Sequence, residues 1–350
     1  MTKVTGDHGF QRVLVVCEDD GDHVGLKHAA MIYDAARRDG LPTSLIEVLS
    51  VVEPQPGEDF IQTLGGASQD RLEEIRRDDR RAHVAQALLD AGLPHSTPAT
   101  VVSGKGFVEI IRHSIAMRAD LVIKPAAQVN GLHAHIFGST DLHLLRKCPC
   151  PVWVVRAFPD AGPELGTSAG DAPKPAATPL VVAAVDFDRD ADAVGDASQD
   201  ALNSSIVEAA ISIAQASSAA LTFVHTWQAP AEGLLQRAAP GVSSTELAQY
   251  VREVERWHHA ALDTFVSGVR RDAGTKVAHI SSALLQGDAD EAIAQYVNER
   301  RPLTLVMGTI GRTGIPGVII GNTAEDILIA IDGSVLAVKP PGFESPIRLG

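Results

Sequence analysis

The sequence predicts an α/β protein made of two tandem doubly wound domains, each a Rossmann-like open parallel sheet of five strands. Three observations predict it. The 350 residues amount to slightly more than two domains at about 150 residues each. Short apolar runs alternate with amphipathic stretches, the pattern of parallel strands covered by helices on both faces. The same landmarks also occur twice, in the same order, on the two sides of a break at residues 158–178.

Each half opens with an apolar run that ends in an acid: Val13-Leu14-Val15-Val16-Cys17-Glu18 and Val181-Val182-Ala183-Ala184-Val185-Asp186. Inner strands are expected near Ser44–Leu49, Ala99–Val102 and Asp120–Ile123, then near Leu221–His225, Val277–Ser281 and Leu303–Met307. The closing runs are Pro151–Val155 and Val335–Val338. Between them the spacing turns helical. Val84, Ala87, Leu88 and Ala91 line one face, and Gly92 follows as a stop. In the second half Leu247, Tyr250, Val251, Val254 and Leu262 form a stripe, opened by a capping box of Ser243 and Glu246. The break itself is rich in Pro, Gly, Ala and Ser and keeps neither period, so it reads as a linker. The expected division is 1–157, linker 158–178, and 179–341.

Composition narrows the function. Asp plus Glu outnumber Lys plus Arg by 44 to 30, a formal charge of −14, which argues against coating nucleic acid or an anionic membrane. The apolar runs are too short to span a bilayer, and no secretory leader pattern opens the chain. Three cysteines are no disulfide framework and suit a reducing compartment. A soluble, cytoplasmic protein is expected.

The informative segment runs from Gly308 to Thr323: Gly-x-x-Gly, nine residues, then Gly. It follows the Leu303–Met307 strand and precedes a helical run, Thr323–Ile331. Gly308, Gly311, Gly314 and Gly321 permit close backbone approach, and the Gly321-Asn322-Thr323 end offers free amides at a helix N-terminus. Such amides hold phosphate without net positive charge. Asp186 ends the first strand of this half and should face the same crevice, where a carboxylate can accept from ribose hydroxyls. The spacing is neither the P-loop nor the dinucleotide turn. A second reading, in which the glycines only shape a tight connection, stays open.

This pattern resembles the universal stress protein family, whose ATP-binding members carry Gly-x-x-Gly-x(9)-Gly-Ser/Thr. The resemblance covers both halves and points to the tandem type. It implies strand order 3-2-1-4-5 in each domain and pairing of the closing strands across a pseudo-two-fold axis. It also implies site residues for ATP or another adenine nucleotide, with Mg2+ as an optional companion. Asp186 lies near ribose, and Thr226 presents its backbone to adenine. Gly308 and Gly311 would line ribose and phosphates, Gly321 and Asn322 would donate to phosphate, and Met307, Gly314 and Thr323 complete the implied site. Asn322 departs from the usual Ser or Thr, which weakens the phosphate inference. In the first half Pro125 and Gln128 replace the first two glycines and Glu18 replaces the strand-end Asp, so no ordinary nucleotide site is expected there. A different ligand in that altered crevice stays open.

Other constellations read as structure. His133, His135, Asp141 and His143 match no zinc module, and Asp188–Asp192 lacks the Gly and Glu of a calcium loop. No metal is expected. Cys148-Pro149-Cys150 reads as small residues packed at a strand entry, against a metal or oxidant-sensing reading, and Cys17 as buried and inert. Arg76–Arg81 mixes signs and reads as a solvated helix face. No catalytic Ser/His/Asp order appears, and Arg312 is the only cation of the glycine loop. The expectation is a nucleotide-responsive stress or regulatory protein, with an unidentified protein partner and further dimerisation of the chain left open. The alternatives are an interaction scaffold and a slow ATPase.

Overall fold

Ten strands share one sheet in the order β3-β2-β1-β4-β5-β10-β9-β6-β7-β8. The structure is a computed structural model that describes residues 9–18, 23–41, 43–54, 66–127, 137–157, 178–187, 193–229, 243–309 and 320–349. In the first half β1 (Arg12–Val16), β2 (Leu45–Val52), β3 (Ala99–Ser103), β4 (Leu121–Pro125) and β5 (Val152–Val155) alternate with four helices. These are α1 (Val24–Arg38), α2 (Gly66–Asp90), α3 (Gly106–Ala116) and α4 (Ser139–Lys147). The second half repeats the scheme with β6 (Leu180–Ala184), β7 (Ala220–Trp227), β8 (Ile280–Gln286), β9 (Thr304–Gly308) and β10 (Val335–Val338). Its helices are α5 (Ala193–Ser217), α6 (Ser244–Ala273), α7 (Ala289–Arg300) and α8 (Asn322–Ala330).

Each half therefore has the order 3-2-1-4-5 counted from its own first strand, and every pairing within a half is parallel. Strand alternation splits the interior into two layers. Val13, Val15 and Ile123 face α1 and α2, while Leu14, Val16 and Val122 face α3 and α4. The second half does the same, with α5 and α6 on the first face and α7 and α8 on the other. Burial on both faces is why these strands read as unbroken apolar runs rather than alternating ones.

The halves join where β5 and β10 run antiparallel, Trp153 opposite Leu336 and Val154 opposite Val335. Trp153 is fully buried and its indole N–H donates to the Thr304 hydroxyl of the other half at 3.0 Å. The Ser334 hydroxyl accepts from the Arg156 amide at 2.9 Å, and Arg146 pairs with Glu325 across the same seam. Beneath the sheet α1 lies against α5, where Gln215 donates to Asp39 at 3.0 Å.

Local signals explain most boundaries. Ser243 and Glu246 form the expected capping box: the Ser243 hydroxyl accepts from the Glu246 amide at 3.2 Å and the carboxylate accepts from the Ser243 amide at 2.8 Å. Gly92, at φ +76°, turns the chain after α2. One strand is displaced from expectation. Val277–Ser281 was the apolar clue, yet β8 begins at Ile280 and extends to Gln286. Val277 is buried before the ladder starts, and β8 is an edge strand whose serines pair sideways, Ser281 with Thr222 at 2.8 Å. An edge strand is half-covered, so its residues do not form the apolar run that marks a central one. Among the described residues no helix is long and apolar enough to cross a membrane.

His28 on α1 sets a pH limit on this core. It is fully buried, its Nδ1 donates to the Val24 carbonyl at 2.8 Å, and it meets the Trp153 ring edge-on at 4.9 Å. Burial lowers its pKa from 6.5 to about 4, against the pull of the Val24 carbonyl. Because the folded state holds this imidazole neutral, the stability it permits is complete above 6.5 and is lost as pH falls towards 4. Urea midpoints measured from pH 7 to pH 4 should report a loss approaching about 3 kcal/mol from this group. In His28→Leu that part of the pH dependence should vanish.

Candidate functional site

In an open parallel sheet the crevice forms where neighbouring strands send their helices to opposite faces. In the second half that place lies between β6 and β9, since α5 leaves to one face and α8 to the other. A cleft of about 300 Å3 opens there, at the low end of small-ligand sites. Asp186, Thr226, Met307, Gly308, Thr309, Gly321 and Thr323 line it, with Leu202 and Ile206 of α5 and Ile293 of α7 as apolar wall. Six residues expected from the sequence to share one site, Asp186, Thr226, Met307, Gly308, Gly321 and Thr323, line this cleft across four elements. Gly311 and Gly314 lie outside the described residues. Asn322 is exposed at the first position of α8.

The backbone around Asp186 is held from two sides. Asn203 of α5, 2% exposed, accepts from the Asp186 amide at 3.3 Å and donates to the Asp186 carbonyl at 2.8 Å. His225 of β7 donates from Nδ1 to the Val185 carbonyl at 3.1 Å. Its Nε2 is then the acceptor for His258 Nδ1–H at 2.8 Å. Burial lowers the His225 pKa, opposed by the Val185 carbonyl and the Asp186 charge. The Asp186 carboxylate itself is 58% exposed, lies 3.9 Å from His225 Nδ1 and lines the cleft. The first half keeps the frame of this clamp: Ser50 of β2 donates to the Cys17 carbonyl at 2.8 Å.

At the other wall, the Gly321 amide donates to the Thr309 carbonyl at 2.9 Å, and the Thr309 amide to Val338 at 3.1 Å. The Gly321 amide is therefore already engaged. Helix geometry leaves the amides of Asn322 and Thr323 without intrahelical acceptors, and Gly321 has no side chain to cap them. Gly308 has a packing reason of its own: a Cβ there would sit 2.7 Å from Leu202 Cδ2. Thr309 went unnoticed in the sequence. Its hydroxyl oxygen lies buried at the cleft wall with no hydrogen-bond partner among the described residues, on a residue 1% exposed. Only burial without a partner reveals it, and a lone Thr after a strand carries no such signal.

The same place in the first half is filled. Lys124 ends β4 where Met307 ends β9, and Asp141 opens α4 where Ala324 opens α8. Both are buried, and Lys124 Nζ lies 2.8 Å from Asp141 Oδ1 and 2.9 Å from Glu18 Oε1. It also donates to the Pro125 carbonyl at 2.7 Å. Burial works against this ammonium, but the Asp141 and Glu18 carboxylates outweigh it and raise its pKa. Asp141 Oδ2 accepts from the Gly138 and Ala127 amides at 3.0 and 3.1 Å. A carboxylate of the protein thus lies at the N-terminus of α4, bonded to its N-cap amide. Gly138 is needed because a Cβ would stand 2.7 Å from that of Ala127. Glu18 and Pro125 were read as departures from a nucleotide site. The structure adds Lys124 and shows what the departures build.

Asp141 is thereby committed to Lys124, and His143 stacks on Phe107 at 4.3 Å, while His133, His135, Gln128, Gly131 and Asp188–Asp192 lie outside the described residues. Among the described residues no three His, Cys, Asp or Glu side chains group as a metal site. Cys17 is buried, as expected. Within the mixed run on α2, Arg81 pairs with Asp78 at 2.7 Å.

Two doubly wound domains fused edge to edge, one with a cleft at its switch point and one with that point filled by its own ion pair, define an asymmetric tandem α/β protein. The chain belongs to the universal stress protein family, whose model matches residues 9–156 and again 193–339. It is 30% identical over 268 residues to universal stress protein E of Salmonella typhi, covering 76% of this chain and 75% of that one. Against universal stress protein E of Photorhabdus laumondii it is 25% identical over 356 residues, covering 97% and 98%. A protein of unknown function from Pseudomonas aeruginosa PAO1 shares the fold with TM-score 0.61 and 23% identity, over 95% of this chain and 93% of that one. A universal stress protein of Archaeoglobus fulgidus shares it with TM-score 0.56 and 15% identity, over 95% and 97%.

The ion pair makes a sharp energetic statement. Asp141→Ala leaves a buried ammonium short of a partner and should cost about 3–5 kcal/mol in chemical denaturation. Adding Lys124→Met, which copies the second half's own Met and Ala, should restore most of it. If the double variant is no more stable than the single one, the pair is not what fills this crevice.

Proposed function

We propose that the C-terminal half binds an adenine nucleotide, ATP with or without Mg2+, and that the chain acts as a nucleotide-responsive stress or regulatory protein. The observation that carries this reading is Thr309. A buried hydroxyl without a partner costs roughly 1–3 kcal/mol. Here it lies in the wall of a cleft that also holds the α8 N-terminus. A phosphate or ribose oxygen would pair with that hydroxyl and with the amides of Asn322 and Thr323. The Asp186 carboxylate, at the opposite wall, suits ribose hydroxyls, and the apolar side chains of α5 and α7 suit a base. Oriented amides supply the attraction, so the net charge of −14 is no obstacle.

The first half contributes a fixed partner. Its crevice is closed by Lys124, Asp141 and Glu18, so one nucleotide per chain is expected. Binding would draw β9 and α8 together through Thr309 and Gly321 and so bear on β10 at the seam, where a protein partner or a second copy of the chain could sense it.

Calorimetric titration with ATP, ADP and AMP should give one site per chain. Thr309→Val should weaken binding by about five- to tenfold, the worth of one net hydrogen bond, without lowering the melting temperature. Gly311→Asp, which sets a carboxylate in the glycine loop, should abolish binding. No heat and no thermal shift at millimolar ATP would remove the proposal and leave the scaffold reading. Phosphate release that disappears in Gly311→Asp would instead make the chain a slow ATPase.

A further inference from the structure

The α4–β5 corner holds a side-chain cluster that nucleotide binding does not use. Cys148 caps α4 and Cys150 leads into β5, with Pro149 between them. Their sulfurs are 3.6 Å apart. Cys148 is fully buried and Cys150 is 9% exposed. The Ser114 hydroxyl of α3 lies 3.7 Å from Cys148 Sγ. From the other half comes Lys339, directly after β10 and 6% exposed. Its ammonium donates to the Leu145 carbonyl at 2.5 Å and lies 5.1 Å from the centre of the Phe343 ring.

A buried ammonium needs an anion, and no carboxylate among the described residues pairs with Lys339. Burial weighs against its charge, and Cys148 and Cys150, when ionised, are the groups that would support it. We propose that Cys148 and Cys150 form a redox-active dithiol, with Lys339 as the cation that holds one of them as thiolate, oxidised by a small peroxide to an intrachain disulfide.

The electrostatics agree with that geometry. The hydrogen bond from Cys150 comes first in bringing the Cys148 thiol down to about 7, burial opposes it, and the Lys339 charge and Ser114 assist. The same hydrogen bond, then burial, push Cys150 up, with Asp120 adding to the push. Burial lowers Lys339 to about 8. The two sulfurs are thus in hydrogen-bond contact and one ionises more readily than the other, which is the setting of a reactive thiolate.

The reaction balances without further reagents. The thiolate attacks one oxygen of hydrogen peroxide, the O–O bond breaks, and the departing oxygen takes a proton and leaves as water, giving a sulfenic acid. The second thiol attacks that sulfur, the S–O bond breaks, and a second water leaves. Dithiol plus hydrogen peroxide becomes disulfide plus two waters, the sulfurs oxidised and the peroxide reduced. A bridge between cysteines one residue apart closes a small ring, and constrained disulfides of this kind are readily reduced again. Cys17, held away on β1 with its sulfur towards the Glu18 carbonyl, takes no part.

The test is intact-mass and peptide mass spectrometry of the full chain after treatment with a few equivalents of hydrogen peroxide, followed by alkylation under denaturing conditions. The expected result is a loss of two mass units, with Cys17 alone alkylated and all three cysteines recovered after dithiothreitol. Cys150→Ser should stop at a sulfenic acid on Cys148, trapped by dimedone. Lys339→Met, if folded by circular dichroism, should oxidise about tenfold more slowly at neutral pH. Three free thiols after peroxide, an interchain disulfide, sulfonic acid without a bridge, or unaltered kinetics in folded Lys339→Met would each overturn the proposal. Should Lys339→Met not fold, the wild-type mass and the Cys150→Ser trap decide alone.

Discussion

Everything in this molecule depends on the antiparallel meeting of β5 and β10. Each half on its own would end its parallel sheet in an apolar edge strand, VWVV or VLAV, with unpaired backbone groups and buried-type side chains. Pairing the two edges removes both liabilities and makes one ten-stranded sheet. Trp153 locks the register, since its ring fills the seam and its N–H finds Thr304 in the other half. Polar contacts also cross the seam: the Arg156 amide to Ser334, Arg146 to Glu325, Lys339 to the Leu145 carbonyl.

Fusion of two copies frees each crevice to diverge. The frame stays the same in both, down to a β2 or β7 side chain bonding the carbonyl at the end of the first strand. What differs is the occupant of the helix N-terminus. In the first half Asp141 accepts from the Gly138 amide at the α4 N-cap and from the Ala127 amide, and Lys124 neutralises it, so the protein carries its own anion. In the second half Ala324 and Met307 offer no charge, and the α8 amides face a cleft. Two differences at corresponding places thus separate a half whose cleft wall is uncharged there from one with a structural ion pair. Such a pair is strongly coupled, because either charge alone in that interior is costly.

The two halves also differ in what their glycines do. Gly138 is required by Ala127 and Gly308 by Leu202, each through a contact that a single Cβ would break. A glycine in the nucleotide motif is therefore not by itself a statement about ligand. The statement lies in the groups around it, above all Thr309, whose hydroxyl is buried without a partner among them.

The sequence by itself determined the architecture: the duplication, the strands apart from the displaced start of β8, the helical stripes and the capping box at Ser243. Those features are local or periodic, and periodicity survives in one dimension because each strand or helix buries a face set by its own geometry. The sequence also marked the first half as altered, through Pro125 and Glu18. Only the tertiary structure decided that Lys124 and Asp141 pair, that Asn203 and His225 hold the Asp186 turn, and that Thr309 lacks a partner. It alone brought Lys339 to the Leu145 carbonyl, at the end of the helix that Cys148 caps and 194 residues away. These are contacts between residues with no common period, and whether a charge or hydroxyl is matched depends on what the fold brings within 3–4 Å of it, which no linear spacing records.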